Sequence, residues 1–125
     1  MAIIEYFDPD IEVSLCYDED ADRWFYNTPS FKTSQRKYKA WWINGYLHRL
    51  DGPAIEDDDG DKEWWVDGKY HREDGPAVEW SDGYKAWYKH GVLHREDGPA
   101  IVYSNGEKDW IVDGIELTEE EFNNR

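Results

Sequence analysis

The heptapeptide His-Arg-x-Asp-Gly-Pro-Ala stands three times in this chain, at 48–54, 71–77 and 94–100, each copy 23 residues after the last. In register the units read KAWWINGYLHRLDGPAIEDDDGD (39–61), KEWWVDGKYHREDGPAVEWSDGY (62–84) and KAWYKHGVLHREDGPAIVYSNGE (85–107). A fourth opens with KDWIVDG at Lys108 and departs into IELTEEEFNNR. A catalytic site needs each of its residues once, so a motif written three times is first of all architecture. Periods of this length belong to stacked arrays, in which each unit buries its apolar face only against its neighbours.

Each unit reads as strands. Short aromatic segments such as KEWWVD and KAWYKH end in Asn-Gly, Asp-Gly or His-Gly. Asn-Gly and Asp-Gly tolerate the positive φ of tight hairpin turns. A second turn signal follows 15 residues later, at Asp59-Gly60, Asp82-Gly83 and Asn105-Gly106. Between the turns, Gly52-Pro53, Gly75-Pro76 and Gly98-Pro99 remove a donor and fix φ, so a bend or bulge should split the return strand in two. The columns place the core at Trp41, Trp64, Trp87 and Trp110, and at Ile55, Val78 and Ile101 beside Ala54, Ala77 and Ala100. Strand neighbours point to opposite faces. Trp42, Trp65, Tyr88 and Ile111 therefore face the other way, either covered or forming an exposed aromatic strip.

The ends depart from the repeat. The segment 11–26 reads as a hairpin around a DEDAD turn that covers the first unit. Thr118 and Glu121 form a capping box for a short C-terminal helix. The expected fold is all-β: an elongated antiparallel sheet of stacked hairpins over 39–115, an N-terminal hairpin cap over 1–38 and a helical cap over 116–125.

Trp65, Gly68 and His71 match the W-x-x-G-x-x-H heart of the MORN repeat, which is also 23 residues long; Trp42, Gly45 and His48 repeat it, and the third unit has Tyr88, Gly91 and His94. The chain then writes H-R-x-D-G-P-A where MORN repeats continue with H-G-x-G. Over about residues 38–115 it resembles the divergent MORN-like arrays of bacteriophages and large viruses, and MORN variants of antitoxin-like bacterial proteins. The resemblance implies a scaffold or binding surface, with no particular activity. It also implies a small viral protein of the kind that inhibits host enzymes or defence systems.

The formal net charge is −15 over 125 residues, with −4, −3 and 0 on the three full units. Such a field repels nucleic acid and anionic lipid, and favours a basic partner or simple solubility. The single Cys16 cannot pair internally, and the opening MAIIEYFDPD has no basic segment or long apolar run. A cytoplasmic location is expected, the host cytoplasm if the chain is viral, and nothing in the sequence is apolar enough over 18 residues to span a membrane.

Repetition also sorts candidate chemistry, because a residue kept in every unit is architectural and one that breaks the pattern is free to bind. His48, His71 and His94, with Arg49, Arg72 and Arg95, could line up as metal or phosphate ligands. Successive units lie about 10 Å apart, however, too far to share one ion, so bonds to neighbouring turns and to Asp51, Asp74 and Asp97 are favoured. The run Asp57, Asp58, Asp59, Asp61 fails the EF-hand pattern at Ile55 and Val66. Cys16 has no catalytic companion, and no P-loop or nucleophile motif is present. The expectation is a protein without enzymatic activity, cofactor or metal. Two binding surfaces are foreseen: the aromatic residues Trp42, Trp65, Tyr88, Trp80 and Tyr103, and the acidic group Asp57, Asp58, Asp59 and Asp61. The partner expected is a host protein with a basic surface, bound and inhibited. The alternatives are a nucleic-acid mimic that blocks a DNA- or RNA-binding groove, a sponge for a small anionic signal, and a structural connector.

Overall fold

The structure, a computed structural model, describes residues 2–11, 13–31 and 34–125. The chain enters as β1 (Ala2–Phe7) and turns back through β2 (Ser14–Asp18) and β3 (Arg23–Asn27). The first unit contributes β4 (Tyr38–Ile43), β5 (Tyr46–Leu47) and β6 (Ile55–Asp57). The second contributes β7 (Lys62–Glu63), β8 (Trp65–Val66), β9 (Lys69–Tyr70) and β10 (Val78–Glu79). The third repeats it as β11 (Lys85–Ala86), β12 (Tyr88–Lys89), β13 (Val92–Leu93) and β14 (Ile101–Val102). The fourth closes with β15 (Lys108–Val112), β16 (Ile115–Leu117) and the helix α1 (Glu119–Asn123). The chain is all-β apart from α1, whose N-cap Thr118 and N3 Glu121 form the reciprocal capping box.

One antiparallel sheet runs the length of the molecule in the order β16-β15-β14-β11-β10-β7-β6-β4-β1-β2-β3. Alongside it runs a row of short hairpins: β8–β9 and β12–β13 are sheets of their own, while β4–β5 and β15–β16, at the ends of the row, stay continuous with the long sheet. Adjacent hairpins exchange backbone bonds: Gly68 donates to Leu47 and Arg49 to Trp65, and the same pair recurs from Gly91 and Arg72 and from Gly114 and Arg95. Their tips are tight turns with two successive positive φ values, 52° and 77° at Asp67-Gly68. That is the geometry Asp-Gly and Asn-Gly supply, and His90 adopts it too.

Each unit therefore passes between two layers twice. It leaves the long sheet at Trp64 or Trp87 and returns through the Gly-Pro-Ala segment. Backbone bonds seal the crossing, with Trp64 donating to Ala77 at 2.7 Å and His71 donating to Trp64 at 3.0 Å. Where the layers meet there is room only for a methyl group, and Ala54, Ala77 and Ala100 are fully buried.

The register exposes two rows across the sheet. The inner row is Phe25, Cys16, Glu5, Ala40, Ile55, Glu63, Val78, Ala86, Ile101 and Asp109. It packs on Leu47, Trp65, Tyr70, Tyr88, Leu93 and Ile111 of the hairpin row and makes the core. The outer row is Tyr26, Leu15, Tyr6, Lys39, Glu56, Lys62, Glu79, Lys85, Val102 and Lys108, a ladder whose middle alternates in charge. Opposite charges directly across a strand pair are favourable, each by a fraction of a kcal/mol.

Two expectations need correction. The column of Trp41, Trp64 and Trp87 is not the core. These rings are half-buried on the outer side, because the chain changes sheet at each of them; the core keeps the expected column of Ile55, Val78 and Ile101 and adds the alanines and the column after the tryptophan. The N-terminal hairpin β2–β3 does not cover the first unit directly. β1 lies between them, pairing Ile4 with Trp41 and Glu5 with Ala40. Glu12 of that hairpin lies outside the described residues.

The tryptophans are covered by the repeated arginines. The guanidinium carbons of Arg49, Arg72 and Arg95 lie 3.8, 3.7 and 3.9 Å from the ring centres of Trp41, Trp64 and Trp87. Behind each guanidinium lies the motif glycine, whose missing side chain makes the slot: a Cβ on Gly98 would stand 2.7 Å from Arg95 Cζ. Alanine there must shift the guanidinium on its ring and strain its bonds to Asp97 and Pro99, and a cation on a half-buried ring contributes about 1 kcal/mol. Gly98→Ala should thus destabilise the fold by about 1–2 kcal/mol, and the cost should vanish when Arg95 is already alanine. Denaturant titration of the two single variants and the double variant checks this; equal costs in both backgrounds would contradict the slot.

Candidate functional site

In the repeated motif the arginine is engaged within its own unit and the histidine with the next. Arg49, Arg72 and Arg95 donate Nε to Asp51, Asp74 and Asp97, and NH1 to the carbonyls of Pro53, Pro76 and Pro99. The NH1 groups of Arg49 and Arg72 also reach Glu56 and Glu79 of the outer ladder, at 3.5 and 3.3 Å. Val102 takes that place in the third unit. The Arg95 guanidinium holds the Asp97 carboxyl below the usual aspartate range.

His48, His71 and His94 reach forward. Each Nδ1 accepts the backbone N–H of the positive-φ residue in the next unit's hairpin turn, Asp67, His90 or Asp113, at 2.9–3.0 Å. That bond leaves the proton on Nε2, which faces Glu73 Oε1 at 2.8 Å in the second unit. The histidine is thus the longitudinal tie of the array and the arginine the tie within each unit. Among the described residues no three His, Cys, Asp or Glu side chains converge as a metal site.

The five aromatic candidates separate. Trp65 stacks on Tyr70 at 4.0 Å and Tyr70 on Tyr88 at 4.9 Å, while Trp42 packs against Phe31. Trp42, Trp65 and Tyr88 are half-buried between the layers, so the structure does not present them as an open strip. Tyr103 donates its hydroxyl to Asp109 at 2.6 Å, which pushes the phenol up to about 12. Trp80 remains exposed at a turn, stacked on Tyr84.

The acidic group is a built turn. Asp57 Oδ1 accepts the amides of Asp59 and Asp61, and partial burial, opposed by those bonds, raises its carboxyl. Arg36 lies against Asp59 at 2.8 Å and reaches Asp57 and Asp61 within 4 Å. Asp61 also accepts the amide of Ser81 at 2.7 Å. Asp58 is exposed.

Beside this turn lies the feature that repetition could not disclose. Ile11, Val13, Leu15 and Tyr26 are exposed apolar residues of the N-terminal segment, Ile11 at 53% and Tyr26 at 71% of their full surface. With Tyr6 and Phe7 they line a groove of about 490 Å³ whose other wall is Lys37, Lys39, Glu56, Asp57 and Asp58. Asp8 closes the rim. β1 and β2 place Tyr6 and Leu15 in the groove, and β3 adds Tyr26 in the same outer row. The signal for it was present in the alternation of IEVSL, but the position of β1 was needed to set these residues against Asp57.

Under the groove is a buried carboxylate. Glu5, 2% exposed, accepts bonds from Ser14 Oγ, the Ser30 amide, Tyr38 Oη and Trp42 Nε1 at 2.6–3.2 Å. Glu63 is held likewise by Trp65 Nε1 and Tyr70 Oη. Burial and the Glu5 charge push the Cys16 thiol up to about 11, so it is a packed thiol at neutral pH and no nucleophile. No family model matches the chain, and no curated protein and no solved structure matches it.

Burial, reinforced by its bond to Glu5, raises the Tyr38 phenol from 10 to about 12. A raised folded-state value means stability that is complete below pH 10 and is lost as pH climbs from 10 toward 12. Tyr38→Phe removes one donor from a buried charge and should cost about 2 kcal/mol at pH 8. The gap to the parent protein should narrow steadily between pH 10 and 12, as measured by urea titration. A constant gap would show that the phenol does not titrate with folding.

Proposed function

We propose that this chain is a non-enzymatic binding protein that captures a host protein through the groove beside Asp57 and Asp58, and inhibits it. The observation that carries this reading is the union of exposed apolar anchors with an acidic wall at the N-terminal end of the array. Isolated apolar residues on a surface need no explanation, but a contiguous apolar patch rimmed by polar residues marks an interaction site. Aromatic and aliphatic anchors hold a complex, while charge steers its formation. A net charge of −15 selects a partner with a basic face. The resemblance to MORN-like phage arrays supplies the class of role, an inhibitor of a bacterial enzyme or defence protein acting in the host cytoplasm.

The alternative roles draw less support. The His-Arg pairs are engaged within the chain, which counts against an anion sponge. Exposed carboxylates at Glu73, Asp74, Glu96 and Asp97 recur along the loops, as a nucleic-acid mimic would need. Each aspartate among them is paired to its own arginine, however, and Glu73 to Lys89, which takes up most of the charge of that row.

The test uses the partner recovered by pull-down from a bacterial lysate and identified by mass spectrometry. Asp57→Asn, Asp58→Ser, Asp59→Asn and Asp61→Asn together keep an acceptor at the two aspartates whose side chains bond backbone amides. The quadruple variant should associate about tenfold more slowly at low salt. The difference should shrink at 1 M salt, where the Debye length is about 3 Å. Ile11→Ser should instead raise the dissociation rate about tenfold, as loss of an anchor does. An unchanged association rate at low salt would make the charge purely solubilising and overturn the reading.

A further inference from the structure

The long sheet is finished differently at its two ends. At one, α1 packs on β15 and β16, and Arg125 returns to the carbonyl of Glu96. At the other, β3 is the last strand, and among the described residues no strand pairs with its outer edge. Natural edges are blunted by proline, lysine, a bulge or a covering segment. β3 reads RWFYN, pairs with β2 without interruption, and carries Arg23 at its start as its one charge. Trp24 and Tyr26, two residues apart and on one face, are 55% and 71% exposed.

Charge brackets this edge. Glu19, Asp20 and Asp22 stand in the turn that leads into Arg23, and Asp8 and Asp10 stand in the loop at the end of the sheet where Asn27 lies. The middle is aromatic, and both ends stay net acidic although Lys37 lies 3.6 Å from Asp8 and Arg23 follows the turn. Resting on the binding reading above, we infer that β3 receives an extended segment of the partner as a further strand, apolar at alternate positions in its middle and basic at both ends. Main-chain bonds to β3 supply affinity, and alternate side chains beside Trp24 and Tyr26 supply selection. Tyr26 also lines the groove, so the added strand continues the same surface. A second copy of this chain fits badly. Antiparallel pairing of β3 with itself sets the acidic turn 19–22 of one copy beside the acidic loop 8–10 of the other, and parallel pairing sets turn beside turn.

The test uses the full chain and peptides of about nine residues, with an alternating Val-Thr core and two lysines at each end. Two further versions carry N-methyl groups on alternate backbone nitrogens, one in each phase. The expected result is binding of the parent peptide with alternating slowed amide exchange within 23–27. One methylated phase should bind about tenfold more weakly for each hydrogen bond lost, and the other like the parent. Tyr26→Lys, a change at an exposed position, should weaken binding of the lysine peptides. Equal affinity of both methylated phases, with shift changes confined to Tyr6, Leu15 and Lys39, would mean side-chain capture in the groove; strand addition would fall while the binding reading stood. Failure of every peptide at low salt would also overturn strand addition, leaving the groove to the association-rate experiment. Concentration-dependent dimers in sedimentation, lost in Tyr26→Lys, would assign the edge to a second copy and overturn the inference.

Discussion

The slot between a tryptophan ring and a glycine, filled by an arginine, is the constraint on which the array depends. The arginine needs the ring for its face, the glycine for its clearance, the aspartate for Nε and the proline carbonyl for NH1. Together these fix the path of the chain as it returns from the hairpin row to the long sheet. The alanine that follows is then set where the two layers touch. Histidine carries the same order to the next unit by accepting its turn amide. The seven repeated letters therefore encode one crossing and one link, and the variable letter at Leu50, Glu73 and Glu96 is exposed beside the aspartate that holds the arginine.

A thin two-layer array has little depth for aliphatic side chains, and this accounts for its unusual core. Aromatic rings bury large areas in a shallow space, but their hydroxyl and indole N–H groups need acceptors. Carboxylates of the inner row provide them: Glu5 for Tyr38 and Trp42, Glu63 for Trp65 and Tyr70, and Asp109 for Tyr103. Among the described residues no buried side-chain nitrogen or oxygen lacks a partner. Part of the negative charge of this protein is thus structural, and less of it is available for steering than the net value implies.

The turns, the period, the Gly-Pro break and the capping box at Thr118 were legible in the sequence because each is local. What was not legible came from contacts distant in the chain. The alternation of β1 is interrupted by Glu5, which is tolerable inside only because Ser14, Ser30, Tyr38 and Trp42 converge on it. Without β1 the apolar residues at 11, 13 and 15 could not be placed against Asp57. The aromatic column at Trp42, Trp65 and Tyr88 looked as free to bind as to pack, since period-two reasoning cannot tell that a strand leaves its sheet at the residue before. The repeat explains the scaffold; the groove and the open edge lie where the repeat stops.

A hydrogen-exchange footprint of the chain bound to its captured partner separates the repeated scaffold from the binding end. The account predicts slowed exchange confined to the N-terminal end, in 6–18, 23–27, 37–39 and 56–58, with the three repeated loops exchanging as in the free protein. Protection spread along 49–52, 72–75 and 95–98, with the N-terminal end unchanged, would contradict it and make the repeated loops the binding surface.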